Sequence, residues 1–344
     1  MTTSREPVSA TPGLNRSRVA LGRFVSNTLL ALATGYVLFF FSERLFWGVF
    51  KPGDHVGELA ATWLAYSVVA YLFLSVVYCF RARSPWSVFL AGAFFGWLIE
   101  GTLVGTLYGT EPSAPFPLSL LVTGVSWHAL ISVWVGWHFL RRALREGRAR
   151  RVATWSVLLG LFWGTWTTFL WRETPPVVVS VRAFAAHALA VSLFLSIAYG
   201  VIQRVGARSF RPRPLGLCAA LFGVGVFYVQ QVKAEGVLPL VVLPLLLVVA
   251  AAAMWRASRI AGYFAEMDRS RPLRAASFAG LLAMPLVATA VYAGLLKAGW
   301  WARVPVATAV MYGITAPLSA VVLVWALAKS LLSPPPRPSA PGFV

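Results

Sequence analysis

Apolar residues fill most of the chain in runs of about 20, interrupted at regular intervals by charges, proline or glycine. A bilayer core of roughly 30 Å needs about 20 residues at ~1.5 Å rise each, so each run is long enough to cross it as a helix. Ten runs meet that length, at 24–42, 58–80, 86–108, 117–140, 152–171, 178–202, 215–232, 237–255, 275–296 and 306–331. The pattern predicts an all-α, polytopic membrane helix bundle of about ten transmembrane helices.

The segments between the runs are short, and no stretch has the mixed pattern of a separate soluble domain. The organisation read from this is a basic N-terminal tail over 1–23, one transmembrane bundle over 24–331, and a proline-rich tail over 332–344 expected to be disordered. No small-residue cleavage site follows the first run, which reads as a retained helix rather than a removed signal. WLAY at Trp63, WHAL at Trp127 and AHAL at Ala186 each open a helix after a segment ending in SERLFWG, WLIEG or WRET. That resemblance suggests a hairpin used three times within 24–202.

Composition agrees with the pattern. The 344 residues are 58% hydrophobic and 12% charged, and the mean hydropathy is +0.73, which excludes an ordinary soluble domain. A formal charge of +19 would suggest nucleic acid in a soluble protein. Here the basic residues lie in the loops, so topology explains them and nucleic acid is not an expected partner. With the N-terminus inside, 23 of the 30 Lys and Arg fall on the inner side and 7 on the outer. Both termini are therefore expected on the cytoplasmic face of an inner or plasma membrane, most simply a bacterial cytoplasmic membrane. The arginine-rich segment Arg141–Arg151 reads as the strongest inner loop, with binding of anionic headgroups as the alternative. Cys79 and Cys218 lie near helix ends expected at that face, where neither a disulfide nor a thiolate metal site is expected.

The polar groups inside the runs carry the candidate chemistry. In GWLIEGTLVGTLYG, Glu100 falls about 14 Å below the outer end of its span, near the midplane. A carboxylate there costs about 2.5–3.5 kcal/mol unless it faces protein or water. Gly92 and Gly96 precede it at steps of four, and Gly124, His128, Ser132 and Gly136 repeat the step in the next span. Small residues at this spacing allow close helix approach, which places Glu100 and His128 at one interface. His187 comes to a similar depth from the sixth span, and Arg182, Ser132, Trp127 and Tyr66 are the candidate supporting residues.

Three chemistries remain open for Glu100, His128 and His187: a proton relay in a carrier, a facial metal site in an intramembrane enzyme, or bis-histidine haem ligation. Simple interhelical hydrogen bonding, as in a scaffold or assembly protein, competes with all of them. Glu43 and Arg44 at the end of the first span are expected to form an ion pair or to snorkel to the interface, with Arg172 and Glu173 behaving likewise. His55 belongs to a loop, and His138 is expected to be solvated at a helix end. Trp47, Trp171, Trp300 and Trp301 fit an interfacial belt. Pro239, Pro244, Pro285 and Pro317 should distort the last three spans, which are otherwise poor in polar groups. No Walker, HExxH, GxSxG or paired DxxxD motif occurs, so ATP hydrolysis, zincin proteolysis, serine hydrolysis and magnesium diphosphate chemistry have no support.

Overall fold

The computed structural model describes residues 12–51, 53–82, 84–206, 210–258, 274–299 and 309–332, with side chains from Leu21 onward. Among these residues there is no strand, and nine helices are long and apolar enough to cross a membrane. They are α1 (Leu21–Trp47), α2 (Val56–Cys79), α3 (Pro85–Val104), α4 (Leu118–Arg145), α6 (Val181–Val205), α7 (Pro214–Glu235), α8 (Leu238–Ser258), α9 (Ala275–Lys297) and α10 (Met311–Leu332). The predicted fifth span is helix α5 (Ala149–Trp166), continued to Arg172 by 3₁₀ turns. With Arg150 and Arg151 in its first turn, α5 falls short of the apolarity of the other nine. The last residues of both tails and the segments 259–273 and 300–308 lie outside the described residues, so the expectations for the C-terminal tail, Trp300 and Trp301 fall there.

Packing does not follow chain order. α3 and α4 form one close pair and α5 and α9 another, while α1 packs on α2 and α6. α3 also takes α8, α10 and the end of α7 on its other sides, which makes it the most enclosed helix: 83% of its apolar stretch is buried, against 11% for α7. Between helices in lipid there is little hydrophobic driving force, so association depends on van der Waals contact and small residues. Both close pairs show this. A Cβ on Gly92 would stand 2.9 Å from Val133 Cβ and 3.0 Å from Ala129 Cα, and one on Gly96 would overlap the Gly124 carbonyl. In the second pair, a Cβ on Gly160 would meet Met284 O at 2.6 Å and one on Gly164 would meet Ala288 O at 2.5 Å.

Three helices depart from α geometry beside polar residues. α1 has a π turn at Phe40–Arg44, α3 ends in one at Glu100–Val104, and α4 is wound in wide i→i+5 turns from Val122 to Leu140. On a helix of 3.6 residues per turn, a step of four positions overshoots by about 40°. The wider turn takes up that overshoot, so Gly124, His128, Ser132 and Gly136 stay on one side of α4, toward α3 and α1. Gly124 lies under the Trp97 ring of α3 and Gly136 under the Phe41 ring of α1. The prolines, expected to kink their helices, end none of them, and local winding changes beside two of them. A 3₁₀ turn at Gly280–Leu282 precedes Pro285, a π turn at Met311–Thr315 precedes Pro317, and Pro244 stays inside α8.

Two boundary expectations change. α4 runs to Arg145 instead of ending near 140, and α5 begins at Ala149, so most of the arginine-rich segment is helical and the turn is Glu146–Arg148. His138 is accordingly two turns inside α4, 1% exposed and against Phe139, rather than solvated. Trp171 is also buried, packed on Tyr292, instead of belonging to an interfacial belt.

Candidate functional site

Glu100 stands where α3 changes from α to π winding, at the first residue of the wide turn. It is 8% exposed, and its Oε1 lies 2.5 Å from His128 Nε2 on α4. Its Oε2 accepts the hydroxyl of Thr106, which follows the left-handed Gly105 in the short 3₁₀ turn after α3. The left-handed backbone at Gly105, φ +85°, folds that turn back so that Thr106 can reach the carboxylate six residues behind it. The approach of α3 to α4 that makes the Glu100 to His128 contact is set by Gly96, against which the His128 Cβ rests.

On the far side of the ring, His128 Nδ1 lies 2.8 Å from Ser42 Oγ in the π turn of α1. Ser42 Oγ in turn lies 2.9 Å from Ser132 Oγ, one step of four along α4. Ser132 donates to the Trp127 carbonyl at 3.2 Å. The Trp127 indole donates to the Phe41 and Ser42 carbonyls, both at 3.1 Å, and so ties α4 to the widened turn of α1. Ser42, His128 and Ser132 are all buried, and Phe95 closes the seam edge-on to the imidazole at 5.7 Å. The result is one unbroken line of hydrogen bonds, Thr106, Glu100, His128, Ser42, Ser132, crossing three helices.

The other predicted residues fall elsewhere. His187 on α6 does not join this line: its ring lies against Trp163 at 6.4 Å, and its Nε2 has no hydrogen-bond partner. Arg182 is exposed. Tyr66 is buried, but its hydroxyl donates to Glu43 at 2.6 Å and not to Glu100. Glu43 takes its second bond from Trp47 at 2.9 Å, so it is held by two aromatic donors and forms no ion pair with Arg44. The acidic partner of the rim pair is Glu173, but its cation is Lys51 at 3.3 Å rather than Arg172. His55 is exposed in its loop, and Cys79 and Cys218 are both exposed.

Among the described residues no three His, Cys, Asp or Glu groups converge in the way a metal site needs. Glu100 and His128 supply two donors, and the third, His187, stands beside another helix pair. Bis-histidine haem ligation between His128 and His187 meets a related obstacle, since His128 has both ring nitrogens engaged by Glu100 and Ser42.

The class these features define is an integral, multi-pass, all-helical membrane protein with a buried carboxylate and imidazole pair at its centre. Comparison with protein-family models, curated proteins and solved structures gave no match to any of them.

Proposed function

We propose that this protein moves protons as part of its work, as a carrier does, and that Glu100 and His128 are the groups that take up and release the proton. The carrying observation is that the hydrogen-bond line is complete in either protonation state of the imidazole. With His128 neutral and Nε2 donating to Glu100, Ser42 donates to Nδ1 and Ser132 donates to Ser42. With His128 protonated, Nδ1 donates to Ser42, Ser42 donates to Ser132, and Ser132 donates to the Trp127 carbonyl. The two arrangements differ by one proton: a proton delivered to Ser132 by water lets the hydrogen of Ser132 shift to Ser42 and that of Ser42 to His128 Nδ1, and turning the two hydroxyls back resets the line. From Nε2 a proton passes to Glu100 Oε1, while Thr106 keeps the other oxygen satisfied.

A merely structural hydrogen bond does not require this reversibility, and an enzyme reading would need a third metal donor or a path for substrate to Ser42, the buried hydroxyl beside the pair. The distribution of Lys and Arg supports an orientation with both termini cytoplasmic. Labelling of a cysteine placed at Arg148 by a membrane-impermeant reagent tests that orientation, and labelling from outside the cell would reverse it.

The test of the proton reading uses full-length protein in liposomes loaded with a pH dye, driven by a potassium diffusion potential. Wild-type protein should acidify the lumen well above protein-free vesicles, and Glu100→Gln, which keeps shape and hydrogen bonding but cannot release a proton, should lose at least tenfold of that rate. Equal rates in the two proteins, or no uptake by the wild type, would overturn the reading.

A further inference from the structure

Arg44, in the π turn of α1, is 5% exposed, and its Nε and Nη1 have no hydrogen-bond partner among the described residues. A buried guanidinium left in this way is costly, because three of its five donors are taken from water with nothing in exchange. The two carboxylates near enough to act on its charge are Glu43 and Asp54. Both oxygens of Glu43 are held by Tyr66 and Trp47, and Asp54 Oδ2 accepts from the Lys51 amide at 2.9 Å. The fork instead lies over the Phe39 ring at 5.3 Å.

Two more buried nitrogens have no hydrogen-bond partner among the described residues, His187 Nε2 on α6 and Trp163 Nε1 on α5. Trp163 touches the His187 ring at 6.4 Å and Phe40, in the same π turn as Arg44, at 5.5 Å. Three helices thus carry three buried side chains with nitrogens that have no hydrogen-bond partner among the described residues, one of them a guanidinium, and the Phe40 and Trp163 rings link their positions. Beside them α6 turns Leu189, Leu193 and Phe194 outward to the lipid, 43%, 61% and 56% exposed.

We infer that Arg44, His187 and Trp163 form a site for the oxyanion head of a membrane amphiphile, a fatty carboxylate or a lipid phosphate, whose tail lies along the outward face of α6. A planar oxyanion matches the guanidinium fork with two parallel hydrogen bonds and leaves an oxygen edge for an imidazole or indole N–H. A tail in the lipid lets such an anion enter sideways between α1 and α6. The site uses none of the residues of the proton line.

The test measures binding of oleate, dioleoyl phosphatidic acid, dioleoyl phosphatidylcholine, acetate and inorganic phosphate to purified full-length protein in detergent. Oleate or phosphatidic acid should bind, phosphatidylcholine should not, and the tighter of the first two names the head group. Arg44→Gln and Arg44→Lys should each weaken that binding at least tenfold, the latter because a single ammonium cannot reproduce the fork. Glu100→Gln should bind as the wild type does, whatever its proton flux. Thermal unfolding accompanies each variant, and Arg44→Lys, which keeps the charge, serves if Arg44→Gln is unstable. Undiminished binding in folded Arg44 variants, equal binding of phosphatidylcholine, or binding of acetate or phosphate alone would overturn the inference.

Discussion

Two buried charged residues, Glu100 in α3 and Arg44 in α1, stand beside histidines in widened turns of their helices, yet their surroundings are opposite. Every polar atom of the Glu100 side chain has a donor, and the line beyond it is satisfied through Ser132. Arg44 lies over an aromatic ring with its donors unused, and its neighbouring histidine is equally bare. Bilayer insertion penalises both, so the difference teaches how each penalty is met. Around Glu100 the protein itself supplies the counter-groups, which makes the pair part of the fold. Around Arg44 it does not, which is the condition of a group reserved for something that arrives later.

If that contrast holds, removing a partner on the Glu100 side should cost the most. His128→Ala strands a buried carboxylate with Thr106 alone, and about 3–5 kcal/mol of stability should be lost, read as a large fall in Tm in detergent. A Tm within a degree or two of wild type would mean that water replaces the imidazole and the seam is not closed. Next comes Gly96→Ala, whose methyl would overlap the Gly124 carbonyl and press on His128. Forcing α3 from α4 should cost about 1–3 kcal/mol. Gly200→Ala, where nothing lies within 4 Å, is the matched control and should be neutral or stabilising.

Arg44→Met should behave in the opposite sense to His128→Ala. Replacing an unpartnered buried charge by an apolar side chain of similar length should leave the ligand-free protein as stable as wild type or more so, by up to about 1–4 kcal/mol. A loss comparable to that of His128→Ala would erase the distinction between the two sites. The smallest effect belongs to a half-buried ion pair at the rim of the bundle. Glu146, in the turn between α4 and α5, is pushed up by partial burial, but its hydrogen bond from Arg142 and the charges of Arg142, Arg148 and Arg145 hold it below the usual carboxylate range. A lowered folded-state value means the stabilisation is complete above the ordinary carboxylate pKa and is lost as pH falls through the lowered one. Solvent screening keeps it under about 1 kcal/mol, measurable as a wild-type minus Glu146→Gln difference in Tm that shrinks as pH falls below the ordinary carboxylate range.

How much of this the chain announces depends on what kind of regularity carries it. Length and apolarity are one-dimensional, so most helices are legible to within a few residues, and the exceptions, α4 reaching Arg145 and the first helix running from Pro12 to Trp47, arise because charged and polar residues at a helix end need not end it. Glycine every fourth residue is also written along the chain, and it marks the α3 and α4 seam on which Glu100 and His128 meet. Depth is a weaker guide. His187 shares their level, but level says nothing about direction around the bundle axis, and α6 packs chiefly on α1 and α9. Ser42 and Thr106, the two hydroxyls that complete the line, belong to no periodic pattern. Ser42 is brought in by the π turn of α1 and Thr106 by a left-handed glycine, and neither irregularity can be read from spacing. The orphaned state of Arg44 depends in the same way on where Tyr66 and Trp47 turn.

The winding of α4 has a mechanical meaning. Across Gly124 to Gly136 the helix takes three steps of four, and at ordinary pitch those steps would accumulate about 120° of rotation. Tightening α4 from i→i+5 to i→i+4 bonding would turn one end of its polar edge against the other like the bit of a key. Gly124 could remain clasped by Trp97 while Ser132 and Gly136 swung away from α1. The same twist that lengthens the helix would therefore part Ser42 from Ser132, so that torque on α4 and continuity of the hydrogen-bond line would be one and the same coordinate.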